Sequence, residues 1–186
     1  MSKKWIFLRG LTRGVGHWGD FVELFKTKFP NDEVELIDIP GNGFRNLEKS
    51  PSELSEYVAL MRSRSEFLTE GPVNVVALSL GAMIATEWAR MYPDDFKNLI
   101  LINTSSASLQ SFYKRFLPPN YLNIMKILAE PSIRQRESLV GKMVMNHEER
   151  RIKFLDAMTQ HSEEHPIQPI NLVNQLRAAS SYTFPQ

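Results

Sequence analysis

The sequence predicts an α/β protein, a mostly parallel, doubly wound sheet followed by a C-terminal helical cap, and three observations carry that prediction. Four short β-rich runs, Trp5 to Leu8, Val34 to Asp38, Val73 to Leu78 and Leu99 to Asn103, are apolar enough to be buried on both faces. Amphipathic helical stretches alternate with them, and strand-helix-strand order implies right-handed crossovers with helices on both sides of a parallel sheet. After Asn103 one glycine remains, Gly141, with no strand pattern, so helices account for the rest.

A chain of 186 residues with 42% hydrophobic content supports one ordinary domain core. Between the first two strands, Trp18, Phe21, Val22, Phe25 and Phe29 form the apolar stripe of a helix that Pro30 stops, and Trp18 reads as core within it. The second helix is expected to open with a capping box, Ser50 to Glu53 with Pro51 in its first turn, and to carry Leu54, Tyr57, Val58, Met61 and Leu68. A third begins near Leu80 and shows Met83, Ile84, Trp88 and Met91 along one face. In the cap, Asn146 to His165 reads as a helix with Asn146 as its cap and Pro166 as its stop.

Lys plus Arg number 22 against 21 Asp plus Glu, a net charge of +1 that argues against nucleic acid and membrane as partners and for a small molecule. Cysteine is absent, which excludes disulfides, thiolate metal sites and a thiol nucleophile. The N-terminal run "WIFL" is too short for a signal peptide or a membrane span, so a cytoplasmic protein is expected.

The loop "RGLTRGVGHW" has two readings. Gly10, Gly14 and Gly16 open a helix, and Asp38 ends the next strand, as in the cofactor loop of short-chain dehydrogenases. That family also needs a tyrosine with lysine four positions later, and none of the five tyrosines has one. The other reading is close backbone approach to a reacting oxyanion. No cofactor is therefore expected.

In "VVALSLGAMIATEWAR", Ser79 stands between the third strand and its helix, with the small residues Ala77 and Gly81 two positions to either side. This is the context of a nucleophile elbow, a sharp turn that pushes a serine oxygen outward. The competing reading is a serine that only caps the helix. Ligands of doubly wound folds sit at the carboxyl edge of the sheet, where the loops after the first and third strands should meet.

Together "WIFLRGL", "HWGDF", "LIDIPGNG", "ALSLGAMIATEWA" and "LILINTS" resemble the α/β-hydrolase superfamily, especially small carboxylesterases of the pimeloyl-carrier methyl ester type, over about residues 4 to 105. The resemblance implies a core over 1–105, a helical cap over 106–186, and the four strands as the family's third to sixth. It makes "DIPGNG" the family's Asp-x-Pro-Gly-x-Gly turn and puts Arg9 and Gly10 where His-Gly is common. It implies a serine hydrolase acting on a small-molecule ester or related acyl bond, with Ser79 as nucleophile. The oxyanion hole would be the backbone N–H groups of Leu11 and Leu80, supported by Gly10, Ala77 and Gly81.

A triad also needs an acid and a histidine, expected in that order after the serine. His17 precedes Ser79, and His147, His161 and His165 lie in the cap, where solvent exposure is expected. "HSEEH" lacks a third ligand, so no metal is expected either. Asp94, Asp95 and Asp156 end no strand, and Asn103 is an amide at a strand end where some relatives carry a carboxylate. The expectation is therefore a chain lacking roughly 60 to 80 residues, two strand-helix units with the acid and histidine, and inactive as it stands. The alternatives are a hydrolase-fold protein that binds without catalysis and, behind it, an NAD(P)-binding dehydrogenase.

Overall fold

The computed structural model describes residues 2–106, 108 and 118–183. Its sheet has four strands, β1 (Lys4–Leu8), β2 (Glu33–Ile37), β3 (Val73–Leu78) and β4 (Phe96–Ile102), in the order β2-β1-β3-β4. Every neighbouring pair is parallel, with Leu8 opposite Ile37 on one side and Ala77 on the other. The chain steps from β1 outward to β2 and then crosses back to β3, so the topological switch point lies between β1 and β3.

Alternation along the central strands divides the core in two. Phe7 and Val76 face the aromatic side of helix α1 (Phe21–Lys28), together with Trp18 and Phe25. Ile6, Leu8, Val73, Val75 and Ala77 face α2 (Leu54–Arg64) and α3 (Leu80–Met91), where Tyr57, Met61, Ile84 and Trp88 are fully buried. Each large side chain so enclosed contributes about 1.5–3 kcal/mol of transfer free energy. The doubly wound α/β core is as expected. On the α1 side, Ile100 and Ile102 of β4 remain exposed among the described residues.

Several local details differ from the sequence reading. Trp18 closes a short 3-10 turn, Val15–Trp18, ahead of α1, and the aromatic stripe continues as a stack in which Phe21 and Phe29 are exposed. The Ser50 capping box does not form. Ser50 is fully buried, its hydroxyl donates to the Pro40 carbonyl and its N–H to Asn171 Oδ1, and α2 starts four residues later. A distant buried amide has outcompeted the local cap. Leu68 lies in a separate 3-10 turn, Phe67–Glu70, and the helix expected from Asn146 has His147 at its N-cap.

Beyond β4 the described residues form α4 (Pro118–Ala129), α5 (Ile133–Val144), α6 (Glu148–Glu164) and α7 (Pro169–Ser181). α6 packs on the Val15–Trp18 turn and α7 on α3. By the family resemblance a further strand is expected to begin in "SYTFPQ", residues 181–186, of which 184–186 lie outside the described set. Among the described residues, no helix is long and apolar enough to cross a membrane.

Candidate active site

Among the described residues three other than glycine have positive φ, and each follows a different strand: Thr12 (59°) after β1, Ser79 (53°) after β3 and Asn103 (50°) after β4. Conformations of this kind cost about 1–3 kcal/mol each and collect at functional sites. Here they mark the carboxyl edge of the sheet beside the switch point.

Ser79 joins β3 directly to α3 with φ 53° and ψ −117°. Its N–H donates to the Ile102 carbonyl and its own carbonyl accepts from Ala82 and Met83, so the turn is held on both sides. The side chain makes no capping hydrogen bond. The helix-cap reading therefore has no bond to rest on, and Ser79 as a residue is half-buried.

The support residues explain how the turn fits. A Cβ on Gly81 would lie 2.5 Å from the Arg9 carbonyl oxygen and 2.9 Å from that of Leu8; one on Gly10 would lie 2.8 Å from Ser79 Cβ. Loop and elbow interlock at backbone contact, while Ala77 is fully buried in the sheet core. Gly81→Ala is expected to force α3 away from the end of β1 and to cost about 1–3 kcal/mol, measured as a lower urea midpoint.

Leu80 is the first residue of α3, so its N–H has no intrahelical acceptor. Leu11 is half-buried in the β1 loop, and among the described residues its N–H has no acceptor. The next N–H, that of Thr12, donates to Gln175 Oε1 at 2.9 Å. Fully buried Gln175 also donates to Asn42 Oδ1 and Ser50 Oγ, and Asn42 donates to the carbonyls of Gly10 and Arg13. Two buried amides, one from the turn after β2 and one from α7, thus hold the Gly10–Arg13 segment. Sequence reasoning missed both. Asn42 was visible only as part of the "DIPGNG" turn, and Gln175 reads as an ordinary polar helix position.

The remaining glycines of the loop are filled by side chains. Gly14 and Gly16 pack against His161, and Gly14 also against Gly43. Asp38 accepts from the N–H groups of Val15 and Phe44, which ties two loops together. The space and the acid that a dinucleotide would need are both occupied.

Two histidines expected to be exposed are not. His161 and His165 are half-buried and pack on each other and on Phe44, because α6 lies against the glycine loop; His147 is exposed. His17 is buried. Its Nδ1 accepts from Gly14 N–H, which places its proton on Nε2, 3.2 Å from Ser162 Oγ. Ser162 donates to Glu137, whose other oxygen pairs with Arg13 at 2.5 Å. Among the described residues no histidine hydrogen bonds to Ser79, and no group of three or more potential ligands could hold a metal. Asp95 is bound by Arg62 and Trp88, and Asp156 by Arg134.

Burial, with Arg13, His161 and Arg9 nearby, holds the His17 pKa far below its ordinary value, and burial with His165 lowers that of His161. The unfolded chain takes up these protons first. Stability is therefore full above about pH 6.5 and falls as pH drops toward the depressed folded values, by up to about 1.4 kcal/mol per pH unit for His17. Asp38, raised by burial, acts in the opposite sense just above the ordinary carboxylate value of 3.8. Urea melts at pH 7.5 and 5.5 should show a loss of about 1 kcal/mol, and His17→Asn should remove most of it.

Two surface clefts beside α2, one lined by Leu54, Glu87 and Tyr182 and the other by Ser50, Ile170 and Arg177, contain none of the elbow residues. The site is thus defined by the backbone chemistry of the strand ends.

The profile of the alpha/beta hydrolase fold matches residues 24–183. A poly(3-hydroxyalkanoate) depolymerase of Ectopseudomonas oleovorans is 30% identical over 80 residues, 43% of this chain and 28% of that protein. A pimeloyl-[acyl-carrier protein] methyl ester esterase of Wigglesworthia glossinidia brevipalpis is 28% identical over 102 residues, 54% of this chain and 36% of that one. The matched stretches thus span about a third of these relatives. The crystal structure of an enol-lactonase from Burkholderia xenovorans superposes with a TM-score of 0.72 at 15% identity, covering 99% of this chain and 67% of that one. With 160 of its residues under one profile, the chain belongs to the alpha/beta hydrolase fold family.

Proposed function

We propose that this chain carries the nucleophile half of a serine hydrolase for carboxylic esters or a related acyl bond. The observation that supports this most is Ser79 itself: a non-glycine residue at φ 53°, between β3 and α3, whose hydroxyl does nothing for the helix. Family membership and the methyl ester esterase among the relatives point the same way.

In this reading Ser79 Oγ attacks the acyl carbon and loses its proton to a base, while the carbonyl oxygen takes up the displaced electron pair. The N–H groups of Leu11 and Leu80 meet that oxyanion. Collapse breaks the bond to the alcohol oxygen, which leaves with a proton, and water then releases the acid from Ser79. The Gln175–Asn42 clamp holds the Leu11 loop so that its donor is in place before charge develops.

Among the described residues none of the four histidines hydrogen bonds to Ser79, so the reading assigns the base and its orienting carboxylate to the part of the fold that the relatives have beyond the matched stretch. The chain by itself then has only the oxyanion hole and binding, about 10³-fold over water. It should acylate slowly and once. The test is incubation with p-nitrophenyl acetate and mass analysis of the Ser79 peptide; one acetyl group on Ser79 is the expected result, and acetylation confined to lysines would refute the assignment. The absence of any histidine hydrogen-bonded to Ser79 among the described residues favours, as a second reading, a protein that binds in the same crevice without chemistry. That reading expects no acylation and retained ligand binding.

A further inference from the structure

Arg9 stands where β1 ends, and its backbone is part of the elbow. Its carbonyl faces Gly81, and its neighbour Gly10 lies against Ser79. Its guanidinium carbon lies 4.9 Å from the centre of the Trp18 ring, in cation–π contact. That contact supplies no hydrogen-bond acceptor. Arg9 Nε is fully buried without a partner, and so is the indole N–H of Trp18, a side chain only 7% exposed.

Among the described residues the Arg9 side chain forms no hydrogen bond and no ion pair, unlike Arg13, Arg45, Arg62, Arg64, Arg90 and Arg134, each of which has its carboxylate. Its surroundings are unfavourable to charge: burial and the nearby Arg13 bring its pKa down to about 10. Buried donors without acceptors are rare in folded proteins and call for an explanation. Two of them meet here in one cation–π pair whose arginine backbone lies against the elbow, and both are donors that an oxygen anion would satisfy.

We propose that Arg9 and Trp18 form an anion-binding subsite beside Ser79 that takes the free carboxylate of the substrate, so that the preferred ester is one that also carries a carboxylate, such as a monoester of a dicarboxylic acid. The ester part of this statement rests on the hydrolase reading; the carboxylate part rests on the two unmet donors. Charge selects the carboxylate over a phosphate dianion. Arg13 is already neutralised by Glu137 and His17 is neutral, so among the described residues Arg9 is the cation there without a carboxylate. A planar guanidinium fork also matches a carboxylate in two hydrogen bonds.

The test compares monomethyl adipate with dimethyl adipate, which differ only in the free carboxylate, by calorimetric titration of the intact chain at pH 7. The monoester should bind about tenfold more tightly than the diester, with the advantage shrinking in high salt. Arg9→Gln and Arg9→Met, checked for folding by circular dichroism, should abolish the preference. Trp18→Phe keeps the ring under the guanidinium and removes only the indole donor, and should weaken it about threefold. Equal binding of the two ligands, or a preference that survives loss of the guanidinium, overturns the proposal. Ser79→Ala should leave the preference unchanged. Failure of Ser79 to acylate while monoester binding persists would remove the hydrolase reading alone, and acylation without carboxylate preference would remove the subsite alone.

Discussion

Replacing Ser79 with alanine is expected to abolish acylation by p-nitrophenyl acetate and, in any longer form of the protein that turns over esters, to lower kcat by about 10³-fold or more. The magnitude follows from covalent catalysis: without the oxygen there is no acyl intermediate, and only binding and the two N–H donors remain. Stability should move the other way or hardly at all. Alanine at φ 53° is no easier than serine, but the side chain makes no capping bond to lose. A Ser79→Ala protein that folds and still acylates at the wild-type rate would place the nucleophile elsewhere. Ser79→Gly, which relieves the backbone strain and also removes the oxygen, should melt higher than wild type by about 1 kcal/mol while remaining inert.

Glu137→Ala is expected to be the most damaging single change to stability, at about 3–5 kcal/mol, or roughly 6–20 °C in melting temperature. Glu137 is 6% exposed and its two oxygens serve different partners, Arg13 and Ser162, the latter also in contact with His17. Removing it strands the charge of an arginine whose side chain is only 14% exposed, and breaks the chain of contacts through which α5 and α6 grip the glycine loop. The contrast with the surface pair Arg134–Asp156 is instructive. Both of its members are more than half exposed, so the same deletion there should cost less than about 1 kcal/mol. Because the penalty comes from the uncompensated Arg13 charge, the double change Arg13→Met with Glu137→Leu should recover most of the loss. Chemical denaturation of the three variants measures this.

The strands, the third helix and the elbow were legible in the chain because each is specified by residues close in sequence. An apolar run such as Val73 to Leu78 has nowhere to go but a buried strand, and Ser79 between Ala77 and Gly81 marks the turn that follows. A dinucleotide loop and an oxyanion loop would share the same glycines, and only the missing tyrosine-lysine pair separated the two readings in the sequence. In the structure His161 fills the space above Gly14 and Gly16, where a dinucleotide would have to lie.

What the sequence by itself determined is the parallel α/β core, the position of Ser79 and the small residues on which its turn depends, since period, turn chemistry and backbone sterics act over a few residues. What only the tertiary structure decided is the polar machinery around it. Ser50 gave up its helix cap to meet Asn171, Gln175 reached across 163 positions to hold Thr12, His161 turned inward against the glycine loop, and Arg9 Nε met no acceptor among the described residues. These outcomes depend on which buried donors and acceptors are brought within about 3 Å of one another by packing. No local pattern encodes that meeting, because a buried amide on α7 has the same sequence signature as an exposed one.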